Sequence, residues 1–214
     1  MIQGTKDTAI FLFDVSGIMA DPWLKAGFQC WCVDLQHPPG ITQDGNLFKV
    51  NADLSNPWLP PIPKERIVFT ASFPPCDHLA VSGARWFKGK GLRLLSSSIS
   101  CFATAAELAG WSEAPSMIEN PVSTISSYWR KPDFNFHPHG FTGWCPKDNY
   151  TKKTCIWALN GFIMPDEFKA PGLPPPDDRI HKAPPSAERH NFRSATPAGF
   201  SKAVFNANCL HDIW

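Results

Sequence analysis

Two short blocks carry residue types from which chemistry could be built. In Pro74-Pro75-Cys76-Asp77-His78, two prolines stiffen a loop and present a thiol. A fixed thiol suits a nucleophile, and a buried inert cysteine is the alternative. In Glu119-Asn120-Pro121, a carboxyl group follows a short apolar run; it would be the acid that a cysteine adduct to a nitrogen heterocycle requires. Three more acids follow apolar runs: Asp14 in Phe13-Asp14-Val15-Ser16-Gly17, Asp34 after Phe28–Val33, and Asp53 in Asn51-Ala52-Asp53-Leu54. In nucleotide-binding α/β folds such positions meet a ligand's polar tail, its ribose hydroxyls or a base edge. Each is equally an ordinary turn or cap residue, with Gly17 supplying a permissive backbone angle.

For these residues to meet, the runs before them must be strands that end along one edge of a sheet. Thr8–Phe13 and Arg66–Ala71 read as buried strands, Phe28–Val33 as a third, and Leu47–Val50 as a weaker one. Ala20–Gly27 reads as a short helix closed by Gly27, and Leu92–Ala109 has the apolar spacing of a full helix stopped by Gly110. Ser116–Ile118 is a short strand delivering Glu119. This βαβ alternation predicts an α/β fold with a mostly parallel central sheet and ligands at the strands' carboxyl ends. The second half is less regular: an aromatic, proline-rich stretch from Trp129 to Trp144, a strand pair over Thr154–Met164, a loop over Pro165–Ala187, and a closing helix over Ala198–Asn208. Asp177-Asp178-Arg179 reads as a capped turn, and Cys30 and Cys32, alternating with Trp31, should share one side of a strand.

The 214 residues carry 20 basic and 19 acidic side chains, a formal net charge of +1, and 43% apolar residues. That describes one domain with a real core, or one with an appendage, and excludes disorder for most of the chain. Near-neutrality argues against a broad basic surface but leaves room for a local basic cleft. The longest apolar run, Ala9–Phe13, is far too short to span a membrane, and no basic stretch with a cleavage site precedes it. Seven cysteines without a small-domain framework fit a reducing compartment, so a cytoplasmic protein is expected. The 22 prolines, about twice the usual share, foretell long ordered loops. His137, His139, Cys145 and Cys155 offer nitrogen and sulfur ligands, but their spacing matches no common zinc pattern, and no metal is expected.

Taken together, the blocks resemble the cytosine-5 DNA methyltransferases, in particular short, phage-type members. Phe13-Asp14-Val15-Ser16-Gly17 resembles that family's first motif, Phe73-Pro74-Pro75-Cys76 its nucleophile loop, continued by Leu79-Ala80-Val81-Ser82-Gly83, and Glu119-Asn120-Pro121 its acidic motif. Ser194-Ala195-Thr196-Pro197, leading to Ala203 and Asn208, is similar to its closing motif, which folds back beside the cofactor. Order and spacing hold across most of the chain. The resemblance implies a Rossmann-like class I S-adenosylmethionine-dependent methyltransferase fold. It divides the chain into a cofactor-binding and catalytic core (1–122), an aromatic, proline-rich insertion that would serve as a reduced target-recognition region (123–187), and a segment closing back on the core (188–214).

It further implies Cys76 as nucleophile and Glu119 as acid, with S-adenosylmethionine held by Phe13, Asp14, Ser16, Gly17, Asp34, Asp53, Pro74 and Asn208. DNA would be the partner. Val15 replaces a second glycine of the first motif, Asp77 replaces the usual glutamine after the cysteine, and the Gln-x-Arg block is absent. Arg85, Arg130, Lys152 and Lys153 are possible substitutes for its arginine, and Asn120 is a further substrate-side candidate. In the insertion, Trp129, Arg130, Phe136, Trp144, Tyr150, Lys152 and Lys153 would supply stacking and phosphate contacts. The alternatives are a weak or inactive relative kept as a DNA-binding module, and an enzyme acting on a free pyrimidine nucleotide. The latter would need a dense arginine phosphate site, which the sequence does not show.

Overall fold

The computed structural model describes residues 6–182 and 194–209. Eight strands form one sheet: β1 (Thr8–Leu12), β2 (Gln29–Val33), β3 (Ile41–Asp44), β4 (Leu47–Val50), β5 (Ile67–Ser72), β6 (Ser116–Pro121), β7 (Phe134–Phe136) and β8 (Thr154–Leu159). Their order is β3-β4-β2-β1-β5-β6-β8-β7. The five central strands β4, β2, β1, β5 and β6 are parallel, while β3 and β8 run antiparallel to their inner neighbours. The chain winds outward from β1 through β2 to β4, then returns to place β5 on β1's other side. This is the doubly wound arrangement, with its switch point between β1 and β5. The α/β, mostly parallel architecture read from the sequence is therefore present.

Both faces of the sheet are covered, which is why its central strands read as unbroken apolar runs. Ala9, Phe11, Cys30, Cys32, Phe69 and Ala71 pack on one face with Trp23, Phe200 and Val204, whereas Ile10, Leu12, Trp31, Val33 and Ile67 pack on the other with Leu108. Cys30 and Cys32 thus share a side, opposite Trp31. Trp23 anchors the first face, stacked on Phe69 at 4.7 Å and edge-on to Phe205 at 5.0 Å. Phe205 belongs to the closing helix Ala198–Cys209, which crosses the short helix Asp21–Lys25.

Several elements differ from the sequence reading. The long helix runs Leu92–Ser112, past Gly110, and ends where Glu113 takes a left-handed φ of 55°. Glycine's tolerance of that geometry made Gly110 look like the stop, but a helix can absorb one interior glycine at about 1 kcal/mol. Strand β6 extends through Pro121, so Glu119 and Asn120 lie inside it, each paired across to β8. Thr154–Met164 is not a strand pair: β8 is a single strand between β6 and β7, and the chain turns at Asn160-Gly161 (φ 53° and 81°). Strands β3 and β7 were not foreseen. Ile41–Asp44 is exposed throughout, so no burial pattern marks it; its pairing comes from the Gly45-Asn46 turn to β4. The 123–187 stretch supplies two strands to the central sheet. Residues 183–187 of the expected loop lie outside the described residues. Asp177 Oδ1 accepts the Arg179 N–H at 3.0 Å, the capped turn that was expected. Among the described residues, no helix is long and apolar enough to cross a membrane.

The closing helix is held at its start. The Gly199 N–H donates to Asp148 Oδ2 at 2.6 Å, and a Cβ at Gly199 would sit 2.5 Å from the Phe141 carbonyl oxygen. Gly199→Ala is therefore expected to cost about 1–3 kcal/mol of stability, read as a lower urea midpoint with an unchanged slope.

Candidate functional site

The five acid and thiol candidates that open the sequence reading fall at the carboxyl edge of the parallel strands: Asp14 after β1, Asp34 after β2, Asp53 after β4, Cys76 after β5 and Glu119 near the end of β6. Asp14 and the Phe73–Cys76 loop flank the switch point, the position at which open α/β sheets bind ligands.

The first turn is strained and tightly specified. Phe13 leaves β1 with a left-handed φ of 60°, a conformation that costs a non-glycine residue of order 1–3 kcal/mol. Its ring packs against the hydrophobic clusters below the turn, and its N–H donates to the Val33 carbonyl at 2.7 Å. Asp14 is thereby turned inward. Its Oδ1 accepts the Gly17 N–H at 2.8 Å and the Ser16 hydroxyl at 2.9 Å, and His37 Nε2 donates to its carbonyl at 3.1 Å. Asp14 Oδ2 is buried without a hydrogen-bond partner among the described residues. Burial pushes the carboxyl pKa up, against the pull of those bonds. Gly17, at φ 68°, leaves open space where a side chain would stand. A cleft of roughly 300 Å³ opens beside this turn, lined by Ser16, Gly17, Ile18, Ala198, Ser201 and Lys202 among others. Ser201 closes its back wall by donating to the Ile18 carbonyl at 2.9 Å. An unsatisfied buried carboxylate oxygen next to a glycine that permits close approach fits a ligand carrying an ammonium group.

The other proposed ligand contacts are uneven. Asp34 is buried at the β2 end, with Oδ1 accepting the Gln36 N–H at 2.7 Å. Asp53 is exposed and spends both oxygens locally, on Ser55 (2.7 Å to the hydroxyl) and Asn56 (3.1 Å), which holds its carboxyl below the usual range. Asn208 is spent on structure too: its amide donates to the Ile163 and Val204 carbonyls, each at 2.9 Å, and its Oδ1 accepts the Ile163 N–H at 2.8 Å.

Cys76 lies in the loop after β5 and Glu119 in the neighbouring strand β6, and a side-chain bond from Asn120 ties that loop to that strand. Proline at 74 and 75 removes two backbone donors, so the loop cannot extend the sheet. The buried Pro74 carbonyl is satisfied instead by Asn120 Nδ2 at 2.8 Å. Asn120 is 1% exposed, and its Oδ1 has no partner among the described residues. The partly exposed Cys76 closes the loop through its carbonyl, which accepts the Leu79 and Ala80 N–H groups at 3.0 and 2.8 Å. Glu119 meets Lys152, whose Nζ lies 4.0 Å from Oε1, with both side chains 13% exposed. Burial raises the Glu119 pKa, and the Lys152 ammonium opposes the rise.

The remaining substrate-side candidates do not converge here. Arg130 donates to Asp133 Oδ2 at 2.6 Å and to the Ala158 carbonyl at 2.7 Å, tying the insertion to β8. Lys153 is exposed, and Arg85 lies over the Trp86 ring at 5.1 Å. Phe136 is core, stacked on Phe200 at 3.9 Å, and Tyr150 is buried. Among the described residues no three His, Cys, Asp or Glu side chains form a metal-holding group; Cys155 Sγ instead donates to Asn135 Oδ1 at 3.1 Å. Sequence reasoning missed His37 and the bond from Asn120 to Pro74. The first had a signal in His37-Pro38-Pro39-Gly40, a polar residue entering a rigid turn; the second had none, since its partners are 46 residues apart.

Because the folded-state pKa of Asp14 is raised, its ionisation costs folded-state stability. The cost is absent below the ordinary carboxylate pKa of about 4 and grows as pH rises through the folded value. Asp14→Asn is expected to unfold at a higher temperature than wild type at pH 7, with the difference vanishing near pH 4; a pH series of thermal melts checks both. Against known proteins, no family model matches the chain, and no curated protein matches it either.

Proposed function

We propose that the chain is a DNA (cytosine-5) methyltransferase, transferring a methyl group from S-adenosylmethionine to carbon 5 of cytosine through a covalent Cys76 adduct. The observation that carries this reading is the bond from Asn120 Nδ2 to the Pro74 carbonyl, which ties a thiol loop to the strand bearing a carboxylic acid whose pKa burial raises. The class I methyltransferase reading of the fold is supported by the doubly wound strand order and by the motif-like blocks falling on one edge of the sheet. The cofactor reading is supported by the orphaned Asp14 oxygen, the space at Gly17 and the Asp34 carboxylate. We place the protein in a cytoplasm, the host's if it is phage-encoded.

Cytosine carbon 5 is a weak nucleophile until the ring is activated. The Cys76 thiolate adds to carbon 6, forming an S–C bond and pushing the ring's electron pair toward carbon 5. Glu119 in its protonated form donates to ring nitrogen 3 and so neutralises the charge developing there. Burial favours that protonated form, and Lys152 sets how far. S-adenosylmethionine, when bound, would supply the electrophilic methyl group that carbon 5 takes, with S-adenosylhomocysteine as the leaving group. Loss of the carbon-5 proton to water and expulsion of the Cys76 thiolate restore the aromatic ring. Within a duplex the target base must first leave the stack.

Purified wild type, given methyl-labelled S-adenosylmethionine and unmodified DNA, is expected to yield 5-methylcytosine by nucleoside mass spectrometry. Cys76→Ser is expected to yield none while still binding the cofactor. Cofactor binding without label in DNA would instead favour the DNA-binding module or a nucleotide substrate. Lys152→Met removes the charge that lowers the Glu119 pKa; the alkaline limb of the kcat/KM profile, where Glu119 loses its proton, should move to higher pH. Tyr150 and Cys155, which also face Glu119, remain in place in that variant.

A further inference from the structure

The closing helix Ala198–Cys209 has no cap of its own. Its first intrahelical bond runs from the Ser201 N–H to the Pro197 carbonyl at 3.0 Å, so the capping position falls on a proline, whose side chain has no oxygen to offer the free N–H groups of the first turn. The acceptor comes from 51 residues away: Asp148 Oδ2 takes the Gly199 N–H at 2.6 Å. Asp148 belongs to the insertion and is 8% exposed. Burial pushes its carboxyl pKa up, opposed by the Gly199 N–H, the Cys145 thiol and the charges of Arg179 and Lys202. A buried acid is a costly way to hold a helix that a local serine or asparagine would cap from the surface. What the remote cap adds is dependence of the helix start on the insertion.

That first turn stands between two parts of the chain. Toward the insertion, Phe200 stacks on Phe136 at 3.9 Å and meets Phe141 edge-on at 5.1 Å, and Lys202 Nζ donates to the Trp144 carbonyl at 3.4 Å. Toward the turn after β1, the Ser201 hydroxyl donates to the Ile18 carbonyl at 2.9 Å, with the Met19 carbonyl at 3.3 Å. Ala198, Ser201 and Lys202, at i, i+3 and i+4, share one face of the helix and line the cleft together with Ser16, Gly17 and Ile18. One wall of the cleft is therefore set by Asp148, which does not itself line it.

We propose that Asp148 is a positioning residue for this cleft: by capping the closing helix it holds Ala198, Ser201 and Lys202 against the 16–18 turn, so that the insertion governs ligand affinity there without touching the ligand. The proposal rests on the reading of that ligand as S-adenosylmethionine. Loss of a cap shifts a helix start toward its frayed form about fivefold. Where the ordered start is only partly populated, the apparent dissociation constant rises by the inverse of that fraction.

The test compares wild type with Asp148→Ala and Asp148→Asn by calorimetric titration with S-adenosylmethionine, methyl-transfer kinetics and amide hydrogen exchange. Asp148→Ala is expected to bind S-adenosylmethionine about fivefold or more weakly and to raise its KM alike, while kcat at saturating cofactor stays within about twofold. Asp148→Asn, which keeps an acceptor for the Gly199 N–H, is expected to stay within about twofold of wild type throughout. Exchange should quicken about fivefold in Asp148→Ala at residues 198–203 and, through Ser201, at residues 16–21. In wild type, S-adenosylmethionine should slow exchange at residues 144–149, which do not line the cleft, because the coupling is reciprocal. Should Asp148→Ala fail to fold, that wild-type protection decides. An Asp148 that only stabilised the fold would lower the melting temperature of Asp148→Ala and leave its cofactor affinity and its 16–21 exchange unchanged; that outcome overturns the proposal. So does a lost kcat with KM unchanged, or an Asp148→Asn as weak as Asp148→Ala. Methylated cytosine together with unaltered Asp148→Ala binding sinks the positioning role alone. A wild type that binds no S-adenosylmethionine, with 16–21 exchange still quickened by Asp148→Ala, sinks the methyltransferase reading and leaves Asp148 governing the cleft; without that quickening both fall.

Discussion

A buried carbonyl with no backbone donor to meet it organises this site. Pro74 and Pro75 deny the loop after β5 the N–H groups that would have continued the ladder with β6, so the Pro74 carbonyl must find a donor elsewhere. Asn120, inside β6 and almost wholly buried, supplies it. Such a bond adds only about 1 kcal/mol net, but leaving that carbonyl unpaired would cost about 1–3 kcal/mol. The loop is thereby held to one geometry. Cys76, Glu119 and the segment after Leu79 inherit their positions from that bond and from the β6–β8 pairing that flanks it.

The same edge of the sheet concentrates unfavourable electrostatics. Asp14 is buried with one oxygen unpaired, and Glu119 is buried with a single lysine at 4.0 Å. Both carboxyl pKa values are raised by burial, whereas the exposed Asp53 and Asp177, bonded within their own turns, are lowered. Buried acids with incomplete partners cost stability, and their clustering at a switch point next to a left-handed Phe13 is the pattern of a site rather than of a core. The two groups divide the edge: Asp14 lies in the turn whose Ser16 and Gly17 line a cleft shared with the helix Ala198–Cys209, while Glu119 lies on β6 beside Lys152.

The aromatic stretch of the insertion divides between core and surface. An aromatic stretch in sequence does not say which way its rings point. Phe136, Phe141 and Phe200 pack on one another because β7 joins the sheet and the closing helix covers it. Trp129, from the same stretch, is instead 44% exposed with the Arg130 guanidinium over its ring at 4.8 Å.

By itself the sequence determined the local elements: the apolar runs of β1, β2 and β5, the long helix, the turns at Asp14 and Asp177, and the proline-stiffened thiol. Each is specified by residues within a few positions of one another, through burial period, backbone restriction and turn chemistry. Only the tertiary structure decided that Asn120 serves Pro74, that Lys152 rather than Arg85 or Arg130 approaches Glu119, and that Asp53 and Asn208 are spent on their own surroundings. It also decided that β8 lies between β6 and β7, and that exposed Ile41–Asp44 is a strand at all. These contacts join residues far apart in the chain, and periodicity within a segment says nothing about which strand will lie beside it.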